Sequence, residues 1–287
     1  MYQGEVWVIT IRIVTDTTAE LSPFIIDQYN ITVIPLQVTL NEETFTESSD
    51  ISTLSFINKM KASKKLPLTS QPSIGTFLET YDRLGENGDA ILSIHMTGDM
   101  SGTYATASSA AAMSAANVET FDSRMMSQAL GFQVIEAAQM ASQGATIAEI
   151  KDRLAKIIQQ TSLFVVVDSL EHLAKGGRIG RGQELLGSIL NIKPIAMLQD
   201  GVYTPVYKVR TRSQLIKKLI GRFEEETSGR TIRGVGISHA DNPSLAEELK
   251  HEIEKASGYT STWIKLTTPV ISSHTGPSAI GFSYYTD

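Results

Sequence analysis

The chain has 287 residues, of which 41% are apolar and 20% charged, with no cysteine and a formal charge of −6 at pH 7. That length favours two domains of ordinary size, each burying its own core, and the composition is that of a globular protein rather than a disordered one. Without cysteine there is no disulfide, thiolate metal site or cysteine nucleophile, as expected of a cytoplasmic protein, and basic residues interleaved with acids leave no footprint for nucleic acid.

The N-terminal MYQGEVWVITIRIVTD lacks the basic region of a secretory signal, and no apolar run approaches the roughly 20 residues that span a bilayer, so stable membrane insertion is not expected. Short β-branched runs then alternate with longer amphipathic ones, the pattern of an α/β protein whose helices cover a mostly parallel sheet. The runs predict strands at 7–15, 31–40, 90–95, 118–121 and 163–168. Helices are predicted at 21–29, 53–61, 74–84, 103–115, 125–142 and 146–160. Residues 105–116 are almost all Ala, Ser and Thr, which favours a helix packed very closely on a neighbour over one lining something bulky.

After Asp168 the character changes. A short helix, the turn KGGRIGRGQ, a second helix and a strand are followed by Asp200-Gly201 between two strand-like runs, a hairpin signature. A helix at 213–226, a strand at 232–238, a helix at 244–256 and strands at 261–266 and 278–285 close the chain. A boundary near residue 161 divides it into an N-terminal α/β domain, 1–160, and a smaller C-terminal α/β domain, 161–287.

Four hydroxyl-rich stretches flank these elements: TDTT (15–18), LTSQPS (68–73), SGTY (101–104) and SSHTGP (272–277). In an α/β sheet the strand C-termini and facing helix N-termini share one edge, where ligands bind. As helix N-caps the same residues need no ligand, because Ser and Thr are preferred there. His274 in the last stretch has no HExxH companion, which argues against a metal site. As a general base for Ser101 or Thr69 it requires an orienting carboxylate, and Ser101 is not in a GxSxG elbow. As a hydrogen-bond donor to a carboxylate or phosphate it requires only proximity to the hydroxyls. From the residues alone, a hydrogen-bonded core histidine stands ahead of all three.

KGGRIGRGQ lacks the GxxxxGK[ST] pattern of a phosphate loop, so Lys175, Arg178 and Arg181 are expected to be solvated or paired with an acid. Arg210, in KVRT, reads as an exposed arginine at a strand end.

Taken in order, TDTTAEL, LTSQPSIGTF, ILSIH with SGTY, FDSR, KGGRIG, NIKPI, KVRT and TTPVISSHTGPSAIG resemble the DegV family, and more closely the fatty-acid-binding subunit of the two-component bacterial fatty acid kinase. The likeness runs from Ile11 nearly to the end. It implies a Rossmann-like N-terminal domain joined to a smaller α/β domain, with an acyl chain in a tunnel to which the last strands and the His274 segment contribute. Thr69, Ser101 and His274 match family residues that hydrogen-bond the fatty acid carboxylate, Ser70 lies beside the first of them, and Arg210 matches an arginine needed for work with the kinase subunit. The implied partners are a long-chain fatty acid, the kinase subunit and an acyltransferase of phospholipid synthesis. No catalytic residue, metal or cofactor is implied for this chain itself; a Ser/His hydrolase of acyl esters and a lipid carrier without a kinase are the alternatives. Two departures bear on tunnel shape: Ser278 where the family often has Gly, and MTGDM before SGTY where smaller residues are common.

Overall fold

A computed structural model describes residues 10–185 and 192–287. In chain order the first half contains β1 (Ile11–Asp16), α1 (Pro23–Tyr29), β2 (Thr32–Ile34), β3 (Gln37–Leu40), β4 (Glu43–Thr46), α2 (Thr53–Ala62), β5 (Leu68–Ser70), α3 (Ile74–Gly85), β6 (Ala90–His95), α4 (Thr103–Met113), β7 (Asn117–Asp122), α5 (Ser127–Ser142) and α6 (Ile147–Gln160). The second contains β8 (Thr161–Val166), α7 (Glu171–Lys175), β9 (Lys193–Gln199), β10 (Val202–Val209), α8 (Arg212–Thr227), β11 (Ile232–His239), α9 (Pro243–Ser257), β12 (Trp263–Leu266), α10 (Pro269–Thr275) and β13 (Ile280–Thr286). The fold is α/β. Residues 7–9 of the first predicted strand lie outside the described residues, as does most of the second helix predicted after KGGRIGRGQ; the part described is a tight 3-10 turn at Gly180–Leu185.

Most helices begin where their caps dictate. Ser22, Ser52, Ser73 and Thr211 each accept a backbone N–H of the first turn, and Thr146 with Glu149 forms a reciprocal capping box. The predicted strand at 31–40 is two strands instead. Pro35 has no N–H and constrains the residue before it, so β2 ends at Ile34 beside β1 while β3 enters a different sheet.

The described residues form three sheets: a parallel sheet in the order β2-β1-β6-β7, a small antiparallel sheet β4-β3-β5, and a mixed sheet β10-β9-β8-β13-β11-β12. The small sheet was not anticipated, because β5 is three residues long with two of them exposed, too short to show an alternating pattern. The four strands of the parallel sheet precede residue 160 and those of the mixed sheet follow it. The largest core joins them: Ile13, Leu92 and Ile94 of the first sheet pack in one cluster with Leu163, Val165, Ala196, Leu198 and Tyr203 of the second. The opposite face of the mixed sheet buries Phe164, Ile195 and Phe282 beneath α8 and α9.

The small-residue helix α4 packs as its composition predicts. Ala107 and Ala110 are fully buried with Phe77 and Tyr81 of α3, and a Cβ on Gly85 would fall 2.3 Å from that of Ala116, so only glycine permits this approach. SSHTGP, read as a hydroxyl-rich segment before a turn, is largely helical: Thr268 caps α10, Pro269 occupies its first turn, and His274 sits in its last.

Candidate functional site

Residues on or beside all three sheets line a cavity of about 310 Å³. Met96, Val165, Leu173, Leu198, Tyr203 and Val270 form an apolar part in which each is at most 8% exposed. Polar residues share the lining: Ser70 and Gln71 are exposed, and Thr69, Ser101, Arg178 and His274 are half-buried. Four of the sequence-predicted residues, Thr69, Ser70, Ser101 and His274, therefore line one cavity.

Their placement follows from local structure. Antiparallel pairing sets Thr69 opposite Val38 and Ser70 opposite Gln37, at the end of a strand that Pro72 and the Ser73-capped helix α3 terminate. Thr69 Oγ1 lies 2.7 Å from His274 Nε2, a contact spanning 205 residues of sequence. The other edge of the ring abuts Gly176, where a Cβ would fall 2.4 Å from Nδ1. Gly176 is thus required by close approach rather than by backbone conformation. His172 Nδ1 donates to the Ser273 carbonyl at 2.9 Å and steadies α10 from the same side.

Burial, aided by the positive charge of Arg178 and by His172, lowers the His274 pKa to about 4, so the imidazole is neutral near pH 7. Among the described residues its Nδ1 has no hydrogen-bond partner. Hydrolytic use of Thr69 or Ser101 would require a basic imidazole oriented by a carboxylate at that atom. Among the described residues no carboxylate bonds Nδ1, and the Ser101 hydroxyl bonds Thr103 Oγ1 at 2.8 Å rather than a histidine. What the group can do is hydrogen-bond the oxygens of an anion while the apolar part takes up a hydrocarbon tail.

Arg178 corrects the sequence reading. It is not freely solvated and, among the described residues, not paired with an acid; it lines the cavity, with Nε donating to the Met100 carbonyl at 2.9 Å and Nη1 to that of Gly176 at 2.6 Å. Its remaining N–H groups can meet an anion. The signal available in the sequence was the pair Gly176-Gly177 before it: Gly177 takes φ of +73°, and the turn folds the arginine back over the cavity. Lys175 pairs with Glu171 at 2.7 Å, and Arg181 with Asp200 at 3.9 Å, as expected. Arg210 is exposed just beyond β10, away from the cavity lining, with its backbone N–H donating to Gln214 Oε1 at 3.0 Å.

TDTT does not reach this cavity. Asp16 Oδ2 lies 3.0 Å from His95 Nδ1, and His95 Nε2 lies 2.7 Å from Ser93 Oγ, which also accepts from Tyr81 Oη at 2.8 Å. The arrangement has the connectivity of a Ser-His-Asp relay. Asp16, His95 and Ser93 are all 0% exposed, however, so no substrate reaches them, and the network ties β1, β6 and α3 together. Met96 and Met100, from the MTGDM departure, do line the cavity; Ser278 does not.

The DegV family profile, described as that of uncharacterised proteins, matches residues 10–287. A DegV domain-containing protein of Staphylococcus aureus is 38% identical over 269 residues, covering 94% of this chain and 96% of that protein. The crystal structure of DegV, a fatty acid binding protein from Bacillus subtilis, superposes with a TM-score of 0.89 at 31% identity, covering 97% of this chain and 100% of that one. A fatty-acid-binding DegV family protein from Thermus thermophilus gives 0.92 at 27% identity, with the same coverage.

Proposed function

This chain belongs to the DegV family, and on that basis we propose that it binds a long-chain fatty acid in the cavity and presents the carboxylate to a separate ATP-dependent kinase. The observation that carries the reading is the Thr69–His274 pair, which together with Ser101 and Arg178 lines a cavity whose remaining lining is mostly apolar. Withdrawing hydrocarbon from water contributes roughly 0.8 kcal/mol per methylene, before the ordering costs of binding. A carboxylate drawn in behind it must be hydrogen-bonded or charge-compensated. Thr69, Ser101 and His274 supply hydrogen bonds, Ser70 stands at the opening, and Arg178 supplies charge.

The transferred phosphoryl group makes the acid an acyl phosphate, a mixed anhydride prone to hydrolysis, and an apolar sleeve protects it from water until an acyltransferase of phospholipid synthesis takes it. The nucleotide and its metal belong to the kinase. Arg210, exposed beyond the cavity, is where the kinase docks. The protein works in the cytoplasm as a carrier rather than a catalyst; among the described residues no helix is long and apolar enough to cross a membrane.

Organic extraction of the purified protein and mass spectrometry test this directly. Near-stoichiometric intact fatty acid is expected. The Arg210→Ala variant should keep its lipid while losing kinase-dependent phosphorylation, and His274→Ala should lose lipid. A lipid-free protein that hydrolyses acyl esters would overturn the reading.

A further inference from the structure

The segment from α7 to Arg178 holds the residues next to both Ser101 and His274. At one end His172 Nδ1 lies 2.9 Å from the carbonyl of Ser273, the residue before His274. At the other, Arg178 Nε donates to the carbonyl of Met100, the residue before Ser101, at 2.9 Å, and Gly176 between them abuts the His274 ring. Backbone bonds close the segment on itself, from the Gly176 N–H to the His172 carbonyl at 2.9 Å and from the Arg178 N–H to that of Leu173 at 2.8 Å, so its two ends are fixed relative to each other. The helix α10 is seven residues long, and a helix leaves its last carbonyls without partners of their own. A carbonyl only accepts, so His172 Nδ1 carries the proton and supplies one of those partners from outside the helix. Gly276, which follows α10 with φ of +77°, packs on the same ring, where a Cβ would fall 2.9 Å from His172 Cδ2.

We propose that His172 is a positioning residue of the carboxylate site: its N–H, acting through Ser273, sets where His274 stands relative to Thr69 and, through the same segment, to Ser101. The inference rests on the fatty-acid reading above. Hydrogen bonds to a carboxylate require placement to about 0.5 Å, whereas burial of a hydrocarbon tail is non-directional. Loss of the His172 N–H therefore weakens binding of the acid and spares a chain of the same length that lacks the carboxylate.

The test compares the affinities of the delipidated full-length chain for stearic acid and for 1-octadecanol, measured by displacement of a fluorescent fatty acid. His172→Phe keeps a ring against Gly276 and removes the donor; His172→Asn gives up the ring and keeps an amide N–H near the place of Nδ1. The Phe variant should bind stearic acid about five- to tenfold more weakly and 1-octadecanol as the wild type does, and the Asn variant should bind both as the wild type does. The carboxyl resonance of bound 13C-labelled stearic acid should shift in the Phe variant and stay in place in the Asn variant. The inference is overturned if the order is reversed, which would make the ring and not its N–H the useful part, if the Phe variant binds the acid normally, or if it weakens acid and alcohol equally. Should the Phe variant not fold, the Asn variant decides alone, with wild-type acid binding supporting the role and a selective loss of the acid refuting it. A wild type that binds neither compound would overturn the fatty-acid reading as well, whereas normal wild-type binding of the acid with any of the contrary variant results overturns this inference alone.

Discussion

Ser278 adopts φ of +66°, in the left-handed region where a Cβ is crowded, while its N–H donates to the Ala240 carbonyl at 2.6 Å and its carbonyl accepts from Asn242 Nδ2 at 3.0 Å. Those backbone bonds do not depend on the side chain. Ser278→Gly is therefore expected to stabilise the protein by about 0.5–1 kcal/mol, less than the full strain because glycine also gains freedom when unfolded. A thermal melt showing a rise of about 1–4 °C would agree, and an unchanged or lower midpoint would contradict it. The residue is a backbone matter, not one of cavity shape. Methionine is different: Met96, Met100 and Met126 all face the cavity, and their flexible side chains adapt to chains of differing outline. His274 was ambiguous in the sequence because one histidine among hydroxyls has many uses. Its neutrality comes from burial and from Arg178, both products of the fold.

Among the elements, α10 depends most on a distant residue. Glu47, after β4, accepts from the Val270 N–H at 2.7 Å with one oxygen and from the Thr17 hydroxyl with the other. One buried carboxylate thus seats the helix whose far end holds His274. Burial, opposed by the Thr17 and Val270 hydrogen bonds, raises its pKa to about 7 from 4.5. Because the folded value is the higher one, its stabilising contribution is full below pH 4.5 and is lost as pH rises through about 7. Glu47→Gln, which keeps an acceptor for Val270 and does not ionise, should gain stability relative to the wild type by about 2 kcal/mol between pH 5 and pH 8. Urea unfolding at the two pH values measures it, and a difference independent of pH would exclude this role. Neither α10 nor β5 was legible in the sequence. One is seven residues rich in hydroxyls and the other three residues long, so neither has the periodicity from which longer elements were read.

At the scale of the whole molecule, the two sequence halves share their largest core and a buried carboxylate. Glu20 accepts from the hydroxyls of Ser127 at 2.8 Å, of Thr267 at 2.6 Å and of Ser238, and Lys265 donates to its backbone carbonyl. We propose that the boundary near residue 161 divides the topology but not the unfolding transition. Calorimetry should show one cooperative transition, and Glu20→Ala, by leaving three buried hydroxyls short of a partner, should lower it by about 2–4 kcal/mol without splitting it. Two resolved transitions in the wild type would refute a shared core.

By itself the sequence determined the α/β class, most long helices and strands and the hairpin at Asp200-Gly201, because periodicity, caps and turn chemistry act over a few neighbouring positions; Thr69, Ser70, Ser101 and His274 were singled out as site residues by the resemblance to the DegV family, not by any local pattern. Only the tertiary structure decided that Thr69 meets His274 across 205 residues, that Arg178 turns into the cavity, and that the Asp16, His95 and Ser93 relay is sealed. Distance, burial and charge environment arise when separate segments pack, and no local pattern encodes them.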